Sequence, residues 1–202
     1  MGSFTVRRTL ELFGSSLEEN KIVGSGFPEF SRSEKDGRKL KSWSTNELIK
    51  IGEQIGFLKR PLVPTAISVF VSKGGVLKTT LTLNLARMAA LHNIKTVVVG
   101  LDMQGDITGA LSQEILESES FEKALSTLND VKGLPDVFSG AISLAEALRP
   151  TDIPTLKYIA ETPELVALDQ SLINKNRREF WLKEKIVEPL KKDFDLVIMD
   201  CS

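Results

Sequence analysis

The sequence predicts an α/β fold with a doubly wound, mostly parallel sheet, preceded by a small helical appendage. From residue 65 onward, short apolar runs alternate with helical stretches, which is the pattern of βαβ units. The apolar runs are nearly unbroken, as strands buried on both faces of a parallel sheet require. The composition of the 202 residues, 42% hydrophobic and 26% charged, is that of a globular protein and excludes wholesale disorder.

Composition and charge exclude several classes of protein. The net charge of −1 offers no overall polycation to nucleic acid. A single cysteine, Cys201, excludes an intramolecular disulfide framework, and a single histidine, His92, excludes a site that needs two imidazoles. No apolar run approaches the length of a transmembrane helix, and the N-terminus lacks the apolar core of a signal peptide. We therefore expect a cytoplasmic protein without a membrane span.

Residues 1–64 are predicted to form the helical appendage and a linker. The run 31–41 (SRSEKDGRKLK) is predicted to be a loop because it is dense in charge and contains glycine. Ser44 and Glu47 stand at the spacing of a capping box and start a helix, and prolines 61 and 64 close the segment. Trp43 is expected to pack the appendage against the second domain, residues 65–202.

The second domain is predicted to contain four strands separated by helices. Its strands are expected at residues 66–71, 95–101, 155–160 and 194–199. The helices are expected at residues 78–91, 108–150 with breaks at Gly133, Pro135, Gly140 and Pro150, and 176–192 with a bend at Pro189. His92 is expected to end the first of these helices, because it lies at a helix-to-strand corner.

The run 71–80 (VSKGGVLKTT) connects the first of these strands to the first helix, the context in which a phosphate-binding loop is credible. Gly74 and Gly75 let the backbone N–H groups converge on phosphates, and Lys78 adds a full positive charge. Thr79 offers a hydroxyl to Mg²⁺.

The ordinary pattern G-x-x-x-x-G-K-[ST] fails here, because Ser72 and Leu77 occupy its two glycine positions. The pattern K-G-G-x-x-K-[ST] fits instead, and it resembles the deviant Walker A motif of the ParA/MinD/Soj family of P-loop ATPases. In that family an extra lysine precedes the glycine pair, and the matching residue here is Lys73. The resemblance implies that Lys73, Val76, Leu77 and Thr80 also bind the nucleotide, the last of them at the α-phosphate. Leucine at position 77 departs from the need for glycine beside the phosphates.

Two further segments resemble the same family. Residues 100–106 (GLDMQGD) resemble the family's D-x-D-P-Q-G-N, with Asp102 at the second aspartate, which helps to position and activate the attacking water. Gly100 replaces the first aspartate. Residues 195–200 (DLVIMD) resemble a Walker B strand, whose terminal Asp200 is expected to hold Mg²⁺ directly or through water. The resemblance covers residues 65–202.

The resemblance implies an ATP- and Mg²⁺-dependent ATPase that segregates plasmid, phage or chromosomal DNA. It implies catalytic roles for Lys73, Lys78 and Asp102, and Mg²⁺ contacts for Thr79 and Asp200. It also implies a homodimer formed on ATP binding, in which Lys73 reaches the partner's ATP, and a ParB-like centromere-binding partner at the nucleoid. The departures at Leu77 and Gly100 imply weakened hydrolysis.

Two other functions stay open. One is a MinD-like ATPase that positions a cargo at a membrane, and the other is a non-hydrolysing, nucleotide-gated regulator that binds DNA through residues 1–60. Residues 43–61 loosely resemble the helical pre-domain of some plasmid partition proteins, so either DNA contact or dimerisation is the expected use of the appendage. The 138 residues from 65 to 202 are fewer than the family's domain usually has. We therefore expect a truncation after the Walker B strand, with an exposed apolar sheet edge.

Overall fold

The computed structural model describes residues 3–14, 31–35, 38–70, 77–112, 131–173 and 178–201. The N-terminal part contains a three-stranded antiparallel sheet as well as helices. Its elements are β1 (Ser3–Thr5), α1 (Val6–Leu12), β2 (Ser31–Lys35), β3 (Arg38–Ser44) and α2 (Thr45–Ile55), with the strand order β1-β3-β2. Helix α2 confirms the predicted start, because the backbone N–H and the hydroxyl of Ser44 both donate to Glu47 Oε2, at 2.6 and 2.8 Å.

The prediction of a loop over residues 31–41 was wrong. Strands β2 and β3 pair from Ser31↔Ser42 to Lys35↔Arg38, which leaves a two-residue connection. That connection is Asp36-Gly37 in the sequence, one of the strongest hairpin signals. The density of charge concealed the signal, because charged residues are compatible with exposed strands as well as with loops.

The second part of the chain is built on a five-stranded sheet. Its strands are β4 (Thr65–Val69), β5 (Thr96–Leu101), β6 (Leu148–Pro150), β7 (Leu156–Ile159) and β8 (Leu196–Cys201), in the order β4-β8-β5-β7-β6. Strands β4, β8, β5 and β7 are parallel, and β6 pairs antiparallel with β7. The four predicted strands are confirmed. The sequence did not predict β6, which is only three residues long and includes Pro150.

Helices lie on both faces of this sheet, as a doubly wound fold requires. They are α3 (Lys78–Leu91), α4 (Asp106–Leu111), α5 (Leu134–Ser139), α6 (Leu144–Ala147), α7 (Leu165–Ile173), α8 (Arg178–Leu182) and α9 (Glu188–Leu190), with a π-helical turn at Lys183–Val187. Val98 of β5 belongs to the apolar cluster that includes Ala86 of α3, whereas Val97 belongs to the cluster that includes Leu190 of α9. Alternate residues of β5 therefore pack against helices on opposite faces of the sheet.

The N-terminal part packs against α3. Trp43 is fully buried in the same apolar cluster as Ala86 and Ala90, which confirms its predicted packing role. His92 ends α3 as predicted, but it is buried. Its Nδ1 accepts the N–H of Leu58 at 3.1 Å, and its Nε2 lies 3.1 Å from the carbonyl oxygen of Leu12. Because Nδ1 faces a donor, Nε2 carries the hydrogen, and burial lowers the pKa of the ring.

Strand β4 forms one edge of the described sheet, with β8 as its neighbour. Four of its five residues are exposed, and Ile67 and Phe70 present apolar surface there. This is the exposed apolar edge that the sequence predicts. Among the described residues, no helix has the length and apolar character needed to cross a membrane.

Candidate nucleotide site

The candidate site lies where the carboxyl ends of the parallel strands meet, the usual position of ligands in an open α/β sheet. Helix α3 starts at this edge, and Leu77 immediately precedes it with φ 62° and ψ 24°. This left-handed conformation favours glycine and costs another residue about 1 kcal/mol. The ordinary phosphate-loop pattern has glycine at this position, and the backbone here adopts a conformation typical of glycine. The leucine side chain is 71% exposed.

Lys78 and Asp102 face each other across the site. Lys78 Nζ lies 4.0 Å from Asp102 Oδ2, and both side chains are largely buried. Asp102 follows β5 directly, and its Oδ1 accepts the N–H of Gln104 at 3.2 Å, which fixes the carboxylate in the turn. The structure therefore brings together the phosphate-loop lysine and the aspartate that were predicted from separate motifs.

Asp200 lies near the carboxyl end of β8 and is fully buried. Its Oδ2 accepts the hydroxyl of Thr79 at 2.8 Å, and its Oδ1 accepts the hydroxyl of Thr82 at 2.7 Å. A hydroxyl next to a carboxylate is a set of hard oxygen ligands that suits Mg²⁺. Within the described residues, no three His, Cys, Asp or Glu side chains form a group that could hold a metal ion. Phosphates and water would complete the coordination, as is usual for Mg²⁺.

Thr80 is exposed on the first turn of α3, and its carbonyl oxygen accepts the side-chain amide of Asn84 at 2.7 Å. The predicted α-phosphate contact of its hydroxyl stays a prediction. Four other predicted site residues lie outside the described residues, and their roles stay predictions too. They are Lys73, Gly74, Gly75 and Val76.

Glu161, just beyond β7, is a site residue that sequence reasoning missed. It is 4% exposed. Its Oε2 accepts the backbone N–H groups of Ile107 and Thr108, at 2.9 and 3.4 Å, and its own N–H donates to the hydroxyl of Thr108 at 2.8 Å. Oε1 is buried without a hydrogen-bond partner among the described residues. Its position directly after a strand, at the same edge as Asp102 and Asp200, is the sequence signal that could have found it.

Burial raises the pKa of Glu161 to about 7. The hydrogen bonds from Thr108 and Ile107 lower it, and the negative charges of Asp200 and Asp102 raise it further. The carboxyl is therefore close to half-protonated at neutral pH. A group with this pKa can exchange a proton under physiological conditions, and such groups are concentrated at functional sites.

The raised pKa of Glu161 predicts a pH-dependent stability. The folded state favours the protonated carboxyl, so the free energy of unfolding should fall as the pH rises from about 4.5 to 7, by about 2–3 kcal/mol. Glu161→Gln removes the charge, so it should stabilise the chain at pH 8 and leave it unchanged at pH 4.5. Urea unfolding at both pH values measures this, with the exposed Glu164→Gln as the control. An equal effect of Glu161→Gln at both pH values would contradict the prediction.

The comparisons with known proteins cover the part of the chain that carries this site. The AAA domain family matches residues 64–202. The chain is 31% identical over 137 residues to the chromosome partitioning protein ParA of Myxococcus xanthus, a match that covers 67% of this chain and 43% of that protein. It is 31% identical over 134 residues to the chromosome-partitioning ATPase Soj of Treponema pallidum, covering 66% of this chain and 47% of that protein. The chain thus spans less than half the length of these curated relatives.

The chain is also similar to a solved structure, that of cobyrinic acid a,c-diamide synthase from Mycobacterium smegmatis with a bound ATP analogue and magnesium. The two structures superpose with a TM-score of 0.54 at 28% sequence identity. The match covers 69% of this chain and 51% of that one. The similarity to known proteins is therefore one of fold as well as of sequence.

Proposed function

We infer the function from the family, because the chain belongs to the AAA domain family and is a P-loop ATPase of the ParA/MinD type. We propose that it binds ATP with Mg²⁺, dimerises on ATP and hydrolyses the ATP slowly to segregate DNA. The observation that carries the proposal is the contact of Thr79 with Asp200 beside the pair formed by Lys78 and Asp102. Residues 65–202 form the proposed ATPase domain, and residues 1–64 its N-terminal appendage.

The proposed chemistry is phosphoryl transfer to water, for which the protein supplies mainly positioning and charge stabilisation. Lys78 neutralises the phosphates together with the backbone of Gly74 and Gly75. Thr79 and Asp200 hold Mg²⁺, which supplies positive charge at the terminal phosphates when it is bound. Asp102 orients the attacking water. Leu77 weakens hydrolysis relative to the family pattern through backbone strain, and Gly100 leaves its own position without the carboxylate that the family has there.

We propose that Lys73 acts between two copies of the chain. In an isologous dimer each lysine reaches the partner's ATP, so ATP itself joins the subunits. Lys73→Ala should therefore retain nucleotide affinity and lose the ATP-dependent dimer. Light scattering after size exclusion, with ATP and with ADP, measures the result. Dimerisation of the variant on ATP to the wild-type extent would exclude this role.

The proposed cargo is plasmid, phage or chromosomal DNA at the nucleoid, in the cytoplasm, with a ParB-like protein as partner. The test is phosphate release from the 202-residue chain with and without nonspecific DNA, and we expect DNA to stimulate it. Stimulation by anionic lipid vesicles instead of DNA would replace this function with MinD-like positioning at a membrane. Binding of ATP and DNA without turnover would replace it with a nucleotide-gated regulator.

A further inference from the structure

Glu161 and Gly100 occupy one space between them. A Cβ atom added to Gly100 would overlap Cγ of Glu161, and it would lie only 2.7 Å from Cδ and 3.0 Å from Oε1 of the same side chain. The carboxyl of Glu161 therefore fills the volume into which a side chain at position 100 would project. Gly100 belongs to β5, and Glu161 follows β7, which is paired with β5 in the sheet.

The shared space lies beside Asp200. Gly100 is the register partner of Asp200 in the parallel pair β5–β8. Register partners in a parallel pair project from the same face, one strand spacing of about 4.8 Å apart. Asp200 meets Thr79 and Thr82 of α3 on that face. The carboxyl of Glu161 thus lies on the α3 face of the sheet, and the charges of Asp200 and Asp102 both act on it.

The two oxygens of Glu161 have different environments. Oε2 accepts the N–H groups of Ile107 and Thr108, so it anchors the start of α4, which follows the turn that contains Asp102. Oε1 is buried and has no donor among the described residues. Buried acceptors in native proteins are normally satisfied by protein or by ordered water, so an unsatisfied one requires an explanation. Because Oε1 is closed to solvent in the described structure, a water of the adjoining site would provide the missing donor once a small shift of the side chain makes room for it.

We propose that Glu161 supplies, from the end of β7, the carboxylate that the family pattern has at position 100, with Oε1 accepting a hydrogen bond from a water of the ATP–Mg²⁺ site. The inference rests on the proposed function, because it assigns a further residue to the same site. Glu161 is a positioning residue in this role. It acts on Mg²⁺ or on the phosphates through water, and on Asp102 through the anchored turn.

Moving the carboxylate back to position 100 tests the proposal. The variants are Glu161→Ala and the double variant Gly100→Asp/Glu161→Ala, in the full 202-residue chain. The readout is the factor by which Mg²⁺ increases ADP affinity, measured by calorimetry with and without the metal. We expect Glu161→Ala to reduce this factor about tenfold, the lower end of what outer-shell ligands contribute, and the double variant to restore most of it. A folded double variant that behaves like Glu161→Ala would overturn the proposal.

Glu161→Gln removes the negative charge of the side chain but keeps its shape. This variant therefore tests the proposed role of the carboxylate even if the double variant does not fold. Glutamine still accepts the two N–H groups through one oxygen, and Glu164→Gln is the matched exposed control. We expect Glu161→Gln to reduce the factor by which Mg²⁺ increases ADP affinity, and Glu164→Gln to leave that factor unchanged. A wild-type factor in Glu161→Gln would show that Glu161 only holds the turn, which overturns the inference alone. Absence of ADP and ATP binding by the unmodified chain would instead overturn the proposed function, and the inference with it.

Discussion

Replacing Lys78 with alanine is expected to lower ATP affinity by about 30-fold or more. The lysine is the positively charged side chain that the structure shows inside the candidate site, and it is 14% exposed beside Asp102. Removing it leaves the phosphates facing Asp102 and Asp200 without that charge. Losing one member of a desolvated charge pair costs about 2–5 kcal/mol, which corresponds to a loss of roughly 30-fold or more.

Isothermal calorimetry with a non-hydrolysable ATP analogue measures the effect of Lys78→Ala, and thermal denaturation verifies that the variant is folded. Lys95→Ala is the matched control, because Lys95 is exposed and precedes β5 at the opposite edge of the sheet. We expect the control to bind like the unmodified chain. Equal affinity of Lys78→Ala and the unmodified chain would refute the assignment of the phosphate loop.

Replacing Asp200 with asparagine is expected to abolish the dependence of nucleotide binding on Mg²⁺. Asparagine has the shape of aspartate and can still contact the hydroxyls of Thr79 and Thr82, so the fold should persist. It lacks the negative charge that a hard divalent cation requires. We expect ADP affinity without Mg²⁺ to change less than about threefold, and any hydrolysis to fall about 100-fold or more, in line with the loss of a metal's charge stabilisation.

Calorimetry with ADP, in the presence of Mg²⁺ and of EDTA, separates these two effects of Asp200→Asn. The exposed Asp193→Asn, a few residues before β8, changes the same charge outside the site and serves as the control. A variant that gains as much affinity from Mg²⁺ as the unmodified chain does would show that Asp200 has no part in holding the metal.

The predictions from sequence succeeded where the signal was local. Ser44 and Glu47 stand three residues apart, so their capping box and the helix that it starts are visible in one short window. The strands β5 and β8 are apolar runs that need no knowledge of their partners. Lys78, Thr79, Asp102 and Asp200 each belong to a contiguous motif, and the topology of a parallel sheet then brings the motifs together.

Apart from the hairpin of residues 31–41, whose local signal was missed, the predictions failed where the structure depends on distant residues or on short elements. Glu161 contacts Ile107, which is 54 positions away, and Thr82 contacts Asp200, which is 118 positions away. Neither contact leaves a pattern within a window of sequence. The glycine at position 100 was interpreted only as the loss of a carboxylate, whereas the structure shows that the side chain of Glu161 fills its space. That complementarity exists only once the strands are paired.

Helix α3 extends without a break from the candidate nucleotide site to the N-terminal part of the chain. Its 14 residues span about 21 Å. Lys78 and Thr79 occupy its first turn, and the ring of His92 at its other end is held by backbone groups of Leu58 and Leu12. The first turn of this helix therefore belongs to the candidate site, while the residue that ends it is hydrogen-bonded to the backbone of the N-terminal part. The two parts of the chain thus share one helix as a structural element.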